Sequence, residues 1–280
     1  MNKIGVMQGR LSPRVGDRIQ AFPWAHWEDE FSIARYNGFD CIEFIFEAER
    51  FTDNPIFTHD GIARIKKLID KSGVTVSSVC ADYFMEHPFF AQSEDKRAES
   101  VGVLRTLIDR AAELGTIRYI EIPCVDASAI KSESDKADLI RGIQEVMPIA
   151  ERNNIGIVFE TSLPPQEFRE FLMRFNHPMI GANFDTGNSA SLGYEPVKEI
   201  RTLGALIHNV HIKDRLLGGT TVPLGTGNAD LNAVFRTLGE IGYANEFILQ
   251  TARDPDDIGV AIRYKEMVQK YARKHLGRTS

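Results

Sequence analysis

The sequence predicts a closed (β/α)8 barrel. Three observations carry that expectation. Short apolar, β-branched runs alternate with longer amphipathic stretches through 280 residues, close to the roughly 250 that such barrels need. Each run is nearly continuously apolar, as parallel strands covered on both sides must be. Eight strand–helix units fit a closed barrel better than a doubly wound sheet, whose phosphate-binding Gly-rich turn is absent after the first run.

The strands are expected at 3–8 (KIGVMQ), 40–45 (DCIEFI), 74–80 (VTVSSVC) and 118–123 (RYIEIP), then at 155–160 (IGIVFE), 179–185 (MIGANFD), 207–212 (IHNVHI) and 246–250 (EFILQ). Helical patterns lie between them at 27–37, 58–72, 95–114, 134–152, 165–175, 194–203, 230–241 and 256–276. Gly38, Gly73, Gly115 and Gly242 sign helix ends, and Ser134 and Asp230 are expected N-caps. Low-complexity runs and linkers are absent from the sequence, so one domain over 1–280 is expected.

Composition narrows the function. Hydrophobic residues make up 43% and charged residues 26%, and the formal charge is −6. That balance belongs to an ordinary globular enzyme or binding protein and gives no field for nucleic acid. The opening MNKIGVMQGR lacks the apolar stretch of a signal peptide, and no segment approaches a membrane span of about 20 apolar residues. Cys41, Cys80 and Cys124 are odd in number and set in apolar runs, which reads as reduced, buried thiols in a cytoplasm.

The chemistry-bearing pattern is at the ends of the last four strands. Glu160, Asp185, His211 and Gln250 end strands five to eight, each about one β/α unit after the last. Strands often end in polar residues because they emerge into water. Four in register, of ligand types, point instead to one divalent cation at the carboxyl face of the barrel. The absence of a Cys pair argues against a structural zinc site.

The segments IVFET, NFDTGN, NVHIKDR and GYANEFILQTAR resemble the xylose-isomerase-like TIM barrels of sugar isomerases and epimerases. The opening IGVMQGRLSP is similar to that of sugar phosphate isomerases or epimerases, and the stretch from His211 through PLGTGNADL to GYANEF is the most specific part. The resemblance implies a metal held by Glu160, Asp185, His211 and the strand-eight residue, here Gln250. It also implies catalysis by proton transfer next to a carbonyl through an enediolate, with Glu160 and the strand-eight residue as the catalytic pair. Members of the family usually carry Glu in that last position. The Gln250 amide can coordinate a hard cation but cannot act as a base, which puts a two-base epimerase mechanism in doubt. Mn²⁺, Mg²⁺ or Co²⁺ suits the ligand set, and Zn²⁺ is compatible.

Substrate contacts are expected from Glu43, Asn188, Lys213, Arg215, Arg10 and Arg253, the four cations favouring an anionic sugar. Each has a plainer reading: Asn188 as a turn residue, the cations as solvated charges, Glu43 as a partner orienting a metal ligand. Gln8, Asp82 and His87 are expected near the mouth, with His87 a loop residue rather than a ligand. One of Phe22, Trp24 and Trp27 either walls the substrate or packs a helix. LGTGNAD lacks a preceding strand and is a tight loop or a small-anion site, not a dinucleotide fingerprint.

The expected partner is therefore a small sugar or sugar phosphate. Relatives commonly form homodimers or homotetramers. Two other classes are weighed: a barrel that lost its chemistry through Gln250 and serves as a sugar-binding protein or a related lyase or dehydratase, and a DNA-repair endonuclease. The latter needs a basic face and many more than the seven histidines present.

Overall fold

The computed structural model describes residues 2–277; Met1 and residues 278–280 of the expected domain lie outside the described residues. Eight parallel strands close into a barrel in sequential order: β1 (Ile4–Met7), β2 (Cys41–Ile45), β3 (Thr75–Cys80), β4 (Tyr119–Cys124), β5 (Gly156–Thr161), β6 (Ile180–Asp185), β7 (Ile207–Ile212) and β8 (Phe247–Leu249). Each expected strand falls within two residues of the observed one.

The outer helices are α1 (Asp29–Tyr36), α2 (His59–Ser72), α3 (Tyr83–Glu86), α4 (Glu94–Leu114), α5 (Glu133–Gln144), α6 (Met147–Asn153), α7 (Pro165–Met173), α8 (Thr186–Leu192), α9 (Pro196–Leu203), α10 (Leu231–Glu240) and α11 (Asp257–His275). Two local rules explain most helix ends. The Ser93, Ser132 and Asp230 side chains accept from the backbone N–H three residues on, capping α4, α5 and α10. Gly73 and Gly115 close α2 and α4 in the left-handed conformation that glycine adopts without a Cβ penalty.

Three expectations are corrected. Ser132, not Ser134, caps α5. The helix expected over 134–152 is two, because Pro148 has no N–H to give residue 144 and its ring crowds that carbonyl. The short α3 and α8 were not expected. α8 has no apolar periodicity to betray it; Asp185 creates it by accepting the N–H groups of Gly187 and Asn188, both at 2.8 Å.

The barrel's interior is polar toward its carboxyl end. Because side chains alternate along a strand, Asn183 shares a face with Asp185, and Asn209 with His211. The pairing of β6 with β7 shifts by one residue between Ala182 and Asn183, and that of β2 with β3 between Ile42 and Glu43. Both irregularities lie one step before residues that join the site.

Candidate active site

Three neighbouring strands bring the cluster together. Glu160 (β5), Asp185 (β6) and His211 (β7) each offer one atom to a cluster whose members lie within 4.8 Å of one another. His211 is the pivot. Its Nε2–H donates to Glu43 Oε2 at 2.7 Å, with both side chains sealed from solvent. Its Nδ1 faces the other way, 3.5 Å from Glu160 Oε2 and 3.9 Å from Asp185 Oδ2. A histidine held by a carboxylate on one nitrogen presents the other to a metal in a fixed direction.

Asp185 divides its oxygens between two tasks. Oδ1 caps α8, while the buried Oδ2 lies 2.9 Å from Lys213 Nζ. Gly187 makes that pair possible, since a Cβ there would come within 2.7 Å of the Lys213 side chain. Asn183 Nδ2 donates to Glu160 Oε2 at 2.9 Å and to Glu121 Oε1 at 3.0 Å, and Asn188 donates to Glu160 Oε1.

Charge is sorted strongly within this cluster. Burial opposes ionisation of Glu160, but its bond with His211 and the charge of Lys213 prevail and bring it down to about 2. Burial also works against a charged His211, yet the carboxylates of Glu43 and Glu121 hold it well above the ordinary histidine value. Glu121 goes the opposite way to Glu160. Its burial, reinforced by the charges of Glu160 and Glu43, raises it well above the carboxylate range although His211 opposes this. The surroundings therefore favour the ionised form of Glu160 and disfavour that of Glu121.

The donors fit a divalent cation. Two carboxylates and an imidazole converge, and the buried Gln250 Oε1 has no hydrogen-bond partner. A lone carbonyl oxygen buried without a donor is costly, and a cation relieves it. Gln250 Nε2 donates to Gln20 Oε1 at 3.0 Å, so the amide's orientation is held.

Above the cluster opens a cavity of about 730 Å³. Glu160, Asn188, Lys213, Arg215, Arg10, Asp82, Gln20 and Gln250 supply much of its polar lining; Ile19, Met85 and Val125 supply apolar wall. Arg10 is almost fully buried. Its Nε donates to the Thr251 carbonyl at 2.9 Å, while Nη1 has no partner. Burial, then the charge of Arg253, lowers its pKa to about 10, which still leaves it cationic at neutral pH. Arg215 Nη1 donates to Asn188 Oδ1 at 2.7 Å, and its other nitrogens to the Gly219 carbonyl.

The structure separates some residues that the sequence grouped. Arg253 does not line the cavity. Its guanidinium is engaged by Asp257 at 2.7 Å and by the Ser12 carbonyl, because the chain turns outward after β8 toward α11. Glu43 does not line it either, being held beneath His211 and Asn209. Phe22, Trp24 and Trp27 pack on one another and on Phe44, away from the cavity. Gln8 is buried against the Ile45 backbone, and exposed His87 stacks on Tyr83. In the LGTGNAD loop the anion is the chain's own: Asp214 accepts the N–H groups of Gly225, Gly227 and Ala229 at 2.9–3.0 Å.

Three contributors were missed. Glu121, Asn183 and Gln20 join the site, and the first two left a signal. Each is a polar residue inside an otherwise apolar strand, where an unpaired polar group is too costly to persist without a partner.

A family model described as a xylose isomerase-like TIM barrel matches residues 31–271. The chain belongs to that family. Among curated proteins, the L-ribulose-5-phosphate 3-epimerase of Escherichia coli O1:K1 is 24% identical over 241 residues, covering 82% of this chain and 84% of the relative. Among solved structures, a xylose isomerase domain protein from Planctomyces limnophilus superposes with a TM-score of 0.77 at 19% identity, covering 99% of both chains. A D-allulose 3-epimerase from Methylomonas sp. in complex with D-allulose gives 0.74 at 18%, covering 96% of this chain and 97% of that one. These structural likenesses establish the shared fold. Among the described residues, no helix is long and apolar enough to cross a membrane.

Proposed function

We propose that this chain is a metal-dependent isomerase or epimerase of a sugar phosphate, acting by proton transfer at a carbon next to the carbonyl. The observation that carries the reading is the convergence of Glu160, Asp185 and His211 beside a cavity that Arg10, Lys213 and Arg215 also line. The curated relative, an L-ribulose-5-phosphate 3-epimerase, points to the same class and disfavours an inactive sugar-binding barrel.

Glu160, Asp185, His211 Nδ1 and the Gln250 amide oxygen would hold the cation, with Mn²⁺, Mg²⁺ or Co²⁺ suited to this mixed set and Zn²⁺ compatible with it. When bound, such an ion supplies positive charge to offset the charge that develops on the substrate's carbonyl oxygen. The rest falls to the chain's own residues. Glu160, ionised and fixed by Asn183 and Asn188, takes the proton from carbon. Arg10, which has an N–H nitrogen without a partner, and Arg215 both line the cavity and bind the phosphate or the hydroxyl groups.

The test combines metal analysis with turnover of ketoses and their phosphates in deuterated water. The expected result is one bound divalent ion, exchange of a carbon-bound hydrogen, and a loss of about 10²–10⁴-fold in turnover for Glu160→Gln. A metal-loaded protein that exchanges no carbon-bound hydrogen in any of these sugars refutes the reading.

A further inference from the structure

Moving a hydrogen from one face of a carbon to the other requires an acid or base on each face. Glu160 supplies one. Gln250, where the resemblance implies a glutamate in other members, carries an amide that neither takes nor gives a proton near neutral pH. The second group must therefore come from elsewhere in the cavity, or the enzyme is confined to shifts along one face.

The carboxylates lining the cavity besides Glu160 are Glu47, Asp82, Glu86, Glu121 and Asp126. Glu86 and Asp126 are exposed at the rim. Glu47 is tied to Arg18 at 3.0 Å and to the Phe22 N–H at 2.9 Å. Glu121 sits in the barrel beside His211 and Asn183, within the metal cluster's own hydrogen-bond network. Asp82 differs from all of these. It stands at the N-terminal end of α3 without capping it, so its carboxylate is spared for other partners. Oδ1 accepts the Cys80 thiol at 3.3 Å, and Oδ2 accepts Gln20 Nε2–H at 2.7 Å.

Gln20 is the telling link. Its amide oxygen accepts Gln250 Nε2–H at 3.0 Å while its amide nitrogen donates to Asp82. One side chain thus connects the strand-eight position that lacks a carboxylate to the carboxylate of Asp82. We propose that Asp82 is the second proton-transfer group, acting on the face of the substrate carbon away from Glu160, so that this chain inverts the carbon despite Gln250. The proposal rests on reading the site as that of a sugar-phosphate isomerase or epimerase.

The chemistry balances. The Glu160 carboxylate takes the carbon-bound proton, the C–H electron pair forms a C=C bond, and the carbonyl π pair moves to oxygen. Protonated Asp82 then gives its proton to the same carbon from the other side, the C=C π pair forms the new C–H bond, and the pair on oxygen re-forms the carbonyl. Glu160 is left protonated and Asp82 ionised, and both reset by exchange with water. Burial, against the hydrogen bonds from Gln20 and Cys80, raises Asp82 above the usual carboxylate value, which favours its protonated form.

The experiment compares wild type, Asp82→Asn and Glu160→Gln, all manganese-loaded, with ribulose and xylulose 5-phosphates of both series in deuterated water. Deuterium in the recovered starting sugar and formation of the epimer are followed separately by NMR, and Mn²⁺ affinity by calorimetry. Asn at 82 can still accept the Gln20 amide, so the fold is kept. Asp82→Asn should bind Mn²⁺ within about twofold of wild type and still wash deuterium into the starting sugar, while epimer formation falls at least about 100-fold. Glu160→Gln should lose both reactions. Epimerisation by Asp82→Asn within a few-fold of wild type overturns the proposal and leaves the isomerase reading intact. Loss of wash-in and epimer together in Asp82→Asn also overturns it, marking Asp82 as a substrate or metal contact. A wild-type protein that does neither with any of these sugars overturns both.

Discussion

Substitution of Glu43 distinguishes a residue that orients a metal ligand from one that binds substrate. Its Oε2 accepts His211 Nε2–H at 2.7 Å and its Oε1 accepts Asn209 Nδ2 at 3.3 Å, in a setting closed to solvent. Glu43→Ala removes both acceptors and strands two buried donors. Breaking a buried charged pair from one side costs about 3–5 kcal/mol, so this variant should be severely destabilised. Glu43→Gln is the informative change. Its amide oxygen still accepts from His211, but a charge-assisted bond becomes a neutral one of about half the strength. Stability should fall by about 1–2 kcal/mol. Metal affinity should drop about 10–100-fold, as when other carboxylates behind a ligating histidine are replaced. Urea unfolding reads the first figure and Mn²⁺ calorimetry the second. At saturating Mn²⁺ the KM for the sugar should stay within about twofold of wild type, because Glu43 does not line the cavity. Unchanged Mn²⁺ affinity, or a raised KM at saturating metal, would refute this reasoning.

Two further outcomes follow from the same geometry. Lys213→Met removes the ammonium that lies 2.9 Å from Asp185 Oδ2. Mn²⁺ should then bind about tenfold more tightly, while the metal-free protein should melt at a lower temperature, its buried carboxylate having lost its partner. Weaker Mn²⁺ binding would contradict this. Glu30 holds the loop that presents Arg10, accepting from the Gly9 and Leu11 N–H groups and the Ser12 hydroxyl. Burial nevertheless raises its pKa to about 7, against those bonds. A carboxyl raised on folding stabilises fully below its unfolded value, and that contribution is lost as pH rises through about 7. The shift corresponds to about 3 kcal/mol. Urea titrations between about pH 4.5 and pH 8 should show this decline in wild type and a flatter profile in Glu30→Gln. Parallel profiles would exclude Glu30 as the cause.

Much of this protein is written locally. Strand and helix positions follow from apolar period, glycine and cap residues, all properties of neighbouring residues, and Glu160, Asp185 and His211 were legible because equal spacing in a barrel means equal height. Folding alone decided which nitrogen of His211 turns to Glu43, and that Asp185 spends one oxygen on α8 and keeps the other for the site. It also decided that Arg253 is consumed by Asp257 while Arg10 keeps an unused donor. Gln20 shows the limit most clearly. It sits in a loop with no period to mark it, yet its amide joins the end of β8 to the loop after β3, residues separated by more than half the chain. Spacing along a sequence fixes the height of a strand residue in a barrel. What that residue touches depends on loops arriving from other strands, and on the competition among charges that only close packing brings within reach of one another.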